Sequence, residues 1–213
     1  MARPIRLLVA CAAFLALPAF AQNLVQNGSF ESPALGSGNW GIYPAIPNWT
    51  LVSGGGAEIQ NNVAGAPYAG EQHVELDGND NSAIEQAVPV VPGATYLFTW
   101  AYSPRPGVAS TSNGVEVLVD GNVVGISAAD GTANTDTVWT AYQLLVPANG
   151  PTITLRFRAG GTSDGVGGYI DGVALSPVAA PPATPVDAMS DAMLATMVLA
   201  LAAAGALALT RRG

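Results

Sequence analysis

Apolar and polar residues alternate strictly along residues 152 to 158, the sequence TITLRFR. Ile153, Leu155 and Phe157 fall on one face of an extended chain and threonine and arginine on the other, as in a half-buried antiparallel strand. Residues 115 to 126 contain two valine-rich runs joined by Asp-Gly-Asn, a strong signal for a β-hairpin. Further short runs between turn residues predict strands near 57–60, 72–76, 83–88, 94–102, 137–146 and 168–175.

Residues 22 to 176 show no helical periodicity of useful length. About eight or nine short strands in one domain's length of chain favour two antiparallel sheets packed face to face. The pattern therefore predicts an all-β fold, a β-sandwich of jelly-roll type.

Two apolar segments flank this region. Residues 1 to 21 combine an arginine-containing start, an apolar stretch and an Ala-Phe-Ala cleavage site, the features of a secretory signal peptide. Residues 192 to 210 carry no charge and precede a basic end at 211 to 213. A helix over this segment would be roughly 28 Å long, enough to cross a bilayer core. We expect one transmembrane helix with its basic end in the cytoplasm; a buried core helix is the alternative.

The charge and cysteine content of the chain exclude some classes of binding partner and of active site. Residues 22 to 176 contain thirteen aspartates and glutamates, three arginines and no lysine, a formal net charge of −10. Nucleic acid is therefore excluded as a partner, because a polyanion requires clustered basic side chains. The single cysteine, Cys11, lies in the predicted signal peptide. The mature chain thus has no cysteine for disulfides, thiolate metal sites or nucleophilic catalysis.

One pair of carboxylates has the spacing of a catalytic pair. Glu75 and Asp77 are two residues apart on a predicted strand and share a face, within the range of glycosidase carboxylates. A solvated strand face is the more common explanation, and nothing nearby distinguishes an acid from a nucleophile. The only histidine, His73, has no nucleophile motif or histidine partner around it. We therefore predict no catalytic residues and a protein that is not an enzyme.

Five segments carry a family resemblance through their order and spacing. They are NGSFE (27–31), IPNWT (46–50), VELDGNDNSAIEQ (74–86), PGATYLFTWAYSPRPG (92–107) and YIDGVAL (169–175). Together they resemble galactose-binding-like domains of bacterial surface proteins and of the plant cell-wall proteins that share a GxFE opening. Xylan- and glucan-binding modules are more distantly similar. The resemblance spans about residues 23 to 176 and implies a jelly-roll sandwich.

The resemblance also implies a structural calcium ion where the two ends of the domain meet. Glu31 and Asp171 match the positions of its carboxylate ligands, and Ser29 that of a carbonyl donor. Calcium binds six to eight oxygen atoms and tolerates irregular loops. Phe30 would point away from Glu31 and fill the core, so the opening stretch is expected to form one strand. Ordinary surface charges are the alternative for the two carboxylates.

A ligand surface is suggested by aromatic residues in glycine- and proline-rich segments. Such rings, if exposed, could stack on a pyranose, although burial is commoner for any one of them. They include Trp40, Tyr43, Trp49, Tyr68, Tyr102 and Trp139. The polar loop 103–116 places Arg105 and Asn113 between strands, where planar donors suit vicinal hydroxyls or a uronate. Arg105, Asn113, Trp49 and Tyr102 form the predicted glycan site; a salt bridge is the alternative for Arg105.

The sequence is compatible with two functions. The first is an exported, surface-displayed, non-catalytic module that binds carbohydrate of the cell envelope or extracellular matrix. The second is a structural or adhesive matrix protein in which the same sandwich binds protein or spaces components. Exposed rings in a groove would favour the first, and a smooth acidic surface the second.

The C-terminal tail resembles the sorting signals of Gram-negative envelope proteins. Residues 177 to 191 form a proline- and alanine-rich linker that ends in TPVDAMSD, ahead of the apolar segment and the terminal arginine pair. This architecture implies processing by an exosortase-type or rhombosortase-type enzyme, although the Pro-Glu-Pro and Ile-Pro-Thr-Leu signatures are absent. It also implies a precursor anchored in the inner membrane that later reaches the cell surface. A plain inner-membrane anchor is the alternative.

Sorting requires a cut near residues 184 to 191. Mass spectrometry of the mature protein should then find no C-terminal LTRRG peptide. An intact LTRRG peptide on most molecules of the inner-membrane fraction would contradict sorting and support the plain anchor.

Overall fold

A computed structural model describes residues 22 to 178, in which eleven β-strands form two antiparallel sheets. The strands are β1 (Trp40–Tyr43), β2 (Thr50–Ser53), β3 (Ala57–Gln60), β4 (His73–Glu75), β5 (Ala83–Pro89), β6 (Thr95–Ser103), β7 (Gly114–Val119), β8 (Asn122–Ser127), β9 (Thr140–Pro147), β10 (Thr152–Gly160) and β11 (Tyr169–Pro177). The predicted all-β sandwich is confirmed.

The six-stranded sheet has the order β1-β3-β4-β11-β6-β9, and the five-stranded sheet the order β2-β5-β10-β7-β8. The nine strands predicted from the sequence are β3 to β11. The predicted hairpin is β7–β8, whose turn residues Asp120 and Gly121 have φ of 48° and 80°. Positive φ at both central residues matches the right-handed twist of the two strands.

Membrane-spanning helices are not found among residues 22 to 178. The predicted signal peptide and the apolar segment 192–210 lie outside the described residues.

The core lies between the two sheets and follows the period-two pattern of the strands. Ile153, Leu155 and Phe157 of β10 are fully buried, as their alternation predicts. Phe98 of β6 faces them from the other sheet, with its ring centroid 6.2 Å from that of Phe157. Burial of these large apolar side chains is the main stabilising term of such a fold.

The opening stretch is a turn, so the prediction that it forms a strand is wrong. Asn27 and Phe30 have φ of 53° and 55°, and this left-handed geometry interrupts an extended chain. The turn packs on β11, where the Val173 amide donates to the Gly28 carbonyl at 2.9 Å. A Cβ added at Gly28 would lie 2.0 Å from the Val173 carbonyl oxygen, so only glycine fits. The predicted core position of Phe30 holds: it is fully buried and packs against Trp49.

Candidate functional site

The outer face of the six-stranded sheet is unusually rich in polar groups. Alternate residues of β3 and β4 enter the apolar core, so Glu58, Gln60, His73 and Glu75 point to the opposite face. The strand register sets Glu58 beside Glu75, Glu75 beside Tyr169, and Gln60 beside His73. All five side chains are nevertheless buried, because loops cover this part of the face.

Glu75 is the centre of a buried charge cluster. Its Oε2 pairs with the Arg105 guanidinium, and its Oε1 accepts from the Gly167 amide. Gln60 Nε2 donates to Glu58 Oε1 at 2.7 Å and to Glu75 Oε2 at 2.9 Å. Burial raises the pKa of Glu75 to about 8, against the opposing effect of Arg105. Burial also raises the pKa of Glu58, so a proton shared by the two carboxyls would neutralise the cluster.

The solvated strand face considered for Glu75 and Asp77 is not what the structure shows. Both side chains are fully buried, and β4 ends at Glu75. Asp77 accepts hydrogen bonds from the Asp164 amide at 3.1 Å and from the Ser163 hydroxyl at 3.2 Å. The two carboxylates have separate partners and separate environments.

Four rings form what we call the aromatic shelf, which runs from the buried sheet to the surface. Its members are Tyr169, His73, Trp139 and Tyr68. Ring centroids lie 4.4 Å apart for Tyr169 and His73, 5.7 Å for His73 and Trp139, and 5.9 Å for Trp139 and Tyr68. Tyr68 is 49% exposed and Trp139 partly exposed. The shelf therefore presents two rings to solvent.

His73 contributes to the shelf as a neutral ring. It is fully buried, and neither ring nitrogen has a hydrogen-bond partner among the described residues. Burial, together with the nearby Arg105 charge, lowers the pKa of His73 to about 4. The imidazole is therefore uncharged at neutral pH.

A depression of about 250 Å³ adjoins the shelf. It is lined by Tyr68, Thr99, Trp100, Ala141, Tyr142, Gln143 and Gly172. Gly172 lies beneath the Tyr68 ring, and a Cβ there would come within 2.8 Å of the ring. The glycine thus lets the ring lie close against β11.

Glu31 and Asp171 meet at one loop, residues 68 to 72. Asp171 Oδ2 accepts from the Tyr68 and Ala69 amides at 2.8 Å each. Glu31 Oε1 accepts from the Glu71 and Gln72 amides at 2.9 and 3.1 Å. Burial, with a contribution from the Glu31 charge, raises the pKa of Asp171 to about 7. The structure thus brings the two predicted calcium ligands together.

The residues present supply carboxylate oxygens of the kind that binds calcium, and Asp171 Oδ1 also accepts from the Gly172 amide at 2.6 Å. None of the ion pairs within residues 22 to 178 includes Glu31 or Asp171, so two neighbouring carboxylates lack a counter-charge there. No three His, Cys, Asp or Glu side chains cluster for metal binding in this part of the chain. Carbonyl oxygens would have to complete the set, and Ser29 lies in the turn next to Glu31. Such an all-oxygen set is the kind that calcium prefers.

The predicted glycan site is built differently from the expectation. Trp49 is 4% exposed and donates from its indole to the Asn27 carbonyl, and Tyr102 is 2% exposed and donates to the Asn113 carbonyl. Asn113 is fully buried, and its Oδ1 accepts from the Arg105 amide at 2.9 Å. Trp49, Tyr102 and Asn113 therefore support the core and the loop, and burial leaves their polar and aromatic surfaces no room for a sugar.

The sequence does not mark the aromatic shelf and its polar neighbours as a site. Tyr68 and Trp139 were two of six candidate rings, and no local pattern separates them from the buried Trp49 and Tyr102. His73 alternates with the core residue Val74, which was the one signal that it faces outward.

Arg105 should be important for stability rather than for ligand contact alone. Replacing Arg105 by alanine leaves the buried Glu75 without its partner, which costs about 3 to 5 kcal/mol in such pairs. Arg158→Ala is the matched control, because its pair with Glu116 is more exposed and should cost less than about 1 kcal/mol. Urea unfolding of both variants measures the difference; equal losses would contradict the assignment.

The loss in Arg105→Ala should also depend on pH. The folded-state pKa of Glu75 is raised, so the stabilisation from its protonated form is complete below the unfolded value near 4.5 and is lost as pH rises towards 8. Arg105 lowers this pKa, so without it the loss should continue to higher pH. The difference in unfolding free energy between variant and parent should therefore grow above about pH 8, as urea unfolding at several pH values would measure.

Comparison with solved structures supports the fold. A cyclase from Fischerella sp. TAU in complex with 4-(1H-indol-3-yl)butan-2-one aligns with a TM-score of 0.53 and 15% identity, over 76% of this chain and 100% of the cyclase chain. The K1 cleaved adhesin domain of Lys-gingipain from Porphyromonas gingivalis W83 aligns with a TM-score of 0.50 and 13% identity, over 68% and 100% of the two chains. A xylan-binding domain also aligns, at a TM-score of 0.45 that adds nothing to the assignment.

Comparison of sequences gives a relative and a family. The multifunctional-autoprocessing repeats-in-toxin of Vibrio vulnificus is 29% identical over 158 residues, which is 72% of this chain but 3% of the toxin. The chain thus spans a small part of the length of this curated relative. A family profile described as protein of unknown function, DUF642, matches residues 23 to 176, the same region as the predicted resemblance. Because that match covers most of the chain, the protein belongs to the DUF642 family.

Proposed function

We propose that residues 22 to 178 form a non-catalytic, galactose-binding-like module that binds glycan on the aromatic shelf. The observation that carries the proposal is the pair of partly exposed rings, Tyr68 and Trp139, beside a depression in a rigid sheet. A pyranose has an apolar C–H face, and packing that face on a ring removes apolar surface of both from water.

The two rings are held in place before any ligand arrives. Trp139 Nε1 donates to the Ala66 carbonyl at 2.9 Å. The Tyr68 amide donates to Asp171, and its ring rests on Gly172. Because their positions are fixed by these contacts, little conformational entropy would be lost on binding.

The charges around the shelf select the class of glycan. The guanidinium of Arg105 is already paired with the buried Glu75. A uronate at the shelf would therefore lack a free arginine as its counter-charge. The proposal therefore favours neutral glycans over uronates, in contrast to the sequence-based suggestion for Arg105.

Removing either shelf ring should weaken glycan binding. Tyr68→Ala and Trp139→Ala should each lower affinity for a neutral polysaccharide about tenfold, or about 1.4 kcal/mol, because the stacking surface is lost. Val52→Ala is the control: its side chain is 41% exposed but lies on β2 of the five-stranded sheet. A glycan array with neutral and uronic polysaccharides, followed by calorimetry, measures the effect.

Two results would contradict this proposal. One is an equal loss of affinity in the Val52 control. The other is the absence of binding to any glycan at millimolar concentration, which would support the structural or adhesive alternative.

We also propose that calcium binds between Glu31 and Asp171, with carbonyl oxygens including that of Ser29. When bound, the ion would supply positive charge to two neighbouring carboxylates. Glu31 belongs to the N-terminal segment and Asp171 to β11, while both accept from the loop 68–72. An ion there would therefore hold three separate parts of the chain together.

Chelation should lower the melting temperature of the calcium-loaded protein. A ligand at a hundred times its dissociation constant adds about 2.7 kcal/mol to the folded state. Asp171→Asn should abolish the increase in melting temperature that calcium gives. Glu116→Gln, on the five-stranded sheet, should retain that increase. An unchanged melt of the parent in excess chelator, compared with saturating calcium, would contradict the proposal.

Export and display at the cell surface of a Gram-negative bacterium complete the proposed function. They rest on the predicted signal peptide, linker and apolar tail, of which residues 1 to 21 and 179 to 213 lie outside the described residues. A surface location fits a module for glycans of the envelope or matrix.

A further inference from the structure

Two open strand edges lie side by side at one end of the sandwich. β8 is the last strand of the five-stranded sheet and β9 the last of the six-stranded sheet. A groove of about 230 Å³ between them is lined by residues of both, including Val124, Leu144 and Leu145. We call this surface the β8–β9 edge.

The β8–β9 edge is longer than the edge at the other end. β1 and β2, which end the sheets there, have four residues each, whereas β8 has six and β9 has eight. Very short edge strands are one way in which proteins prevent pairing with other chains. The β8–β9 edge lacks that protection.

Exposed apolar side chains concentrate on the same edge. Six of them lie on β8, on β9 or just before β9, with exposures from 36% to 69%. They are Val123, Val124, Ile126, Val138, Tyr142 and Leu145. A concentration of exposed apolar side chains is one mark of an interaction surface.

The two edge strands carry no charged residue, and Asp120 is the charged side chain that lines the groove. Residues 121 to 129 and 137 to 151 contain no Asp, Glu, Lys or Arg. The surrounding domain has a formal net charge of −10. Charged side chains, lysine above all, are the usual means of keeping an edge strand from pairing, and none is present along these two segments.

We propose that the β8–β9 edge binds the same edge of a second copy of this chain. Two copies with a net charge of −10 repel each other, and an approach through the uncharged strands β8 and β9 keeps most of their carboxylates apart. A basic partner would instead be attracted to the carboxylates elsewhere. The charge distribution therefore favours a second copy as the occupant.

A two-fold axis makes this pairing self-complementary. An edge strand can pair antiparallel with its own copy, so that β9 of one protomer continues the six-stranded sheet of the other. The outward N–H and C=O groups of β9 would gain partners. Leu145, which is 60% exposed, would be covered in the same step.

Single cysteines along β9 test the pairing. In the full chain with Cys11→Ser, each of Ala141→Cys, Gln143→Cys and Leu145→Cys leaves one thiol on the outer face of β9. In an antiparallel pair about a two-fold axis, disulfide-linked dimer should form best at the position nearest the axis and fall off away from it. Val52→Cys on the opposite edge strand β2, at a residue of 41% exposure, is the matched control.

A charge placed on the edge should prevent the pairing. Adding Ile126→Lys to the best cysteine variant should reduce the linked dimer at least tenfold, whereas adding Val63→Lys, at a loop residue of 42% exposure, should leave it unchanged. The proposal is overturned if yields on β9 do not exceed that of Val52→Cys. It is equally overturned if Ile126→Lys has no effect, or if the thiols link only to other proteins.

Discussion

The hydrogen bonds from the loop 68–72 to Glu31 and Asp171 are the constraint on which the candidate site depends. The amides of residues 68 and 69 donate to Asp171, and the amides of residues 71 and 72 donate to Glu31. The two carboxylates come from opposite ends of the domain. Tyr68 begins this loop, so the position of its ring follows from the closure of the chain ends. The loop is therefore fixed by charge-assisted hydrogen bonds, which are stronger than those between neutral groups.

A second constraint is the burial of Glu58 and Glu75 beneath the loops that cover the outer face. Apolar residues would give a more stable sheet at these positions, because desolvation of a carboxylate is costly. Gln60 and Arg105 satisfy the two groups and fix the orientation of the loop that begins after β6. This arrangement fixes the geometry of the buried polar layer, at some cost in the stability of the sheet.

The sequence predicted the strands well because burial in this fold follows the two-residue period. β10 alternates strictly and is buried as expected, whereas β1 and β2 are short and half exposed, and leave no such pattern. The meeting of Glu31 with Asp171 was predictable from the family resemblance. The aromatic shelf was not, because Tyr68 and Trp139 lie in separate loops and their contact depends on chain closure. Ring exposure is a tertiary property, and so Trp49 and Tyr102 could not be distinguished from them.

The two ends of the described domain run side by side. The Leu24 amide donates to the Leu175 carbonyl at 2.8 Å, and the Asn23 side chain bonds to β11 at both Val173 and Leu175. A domain with adjacent ends can be inserted between two neighbouring residues of another protein without forcing the host chain apart. This geometry is compatible with the presence of a similar stretch within a much longer toxin, of which it covers 3%.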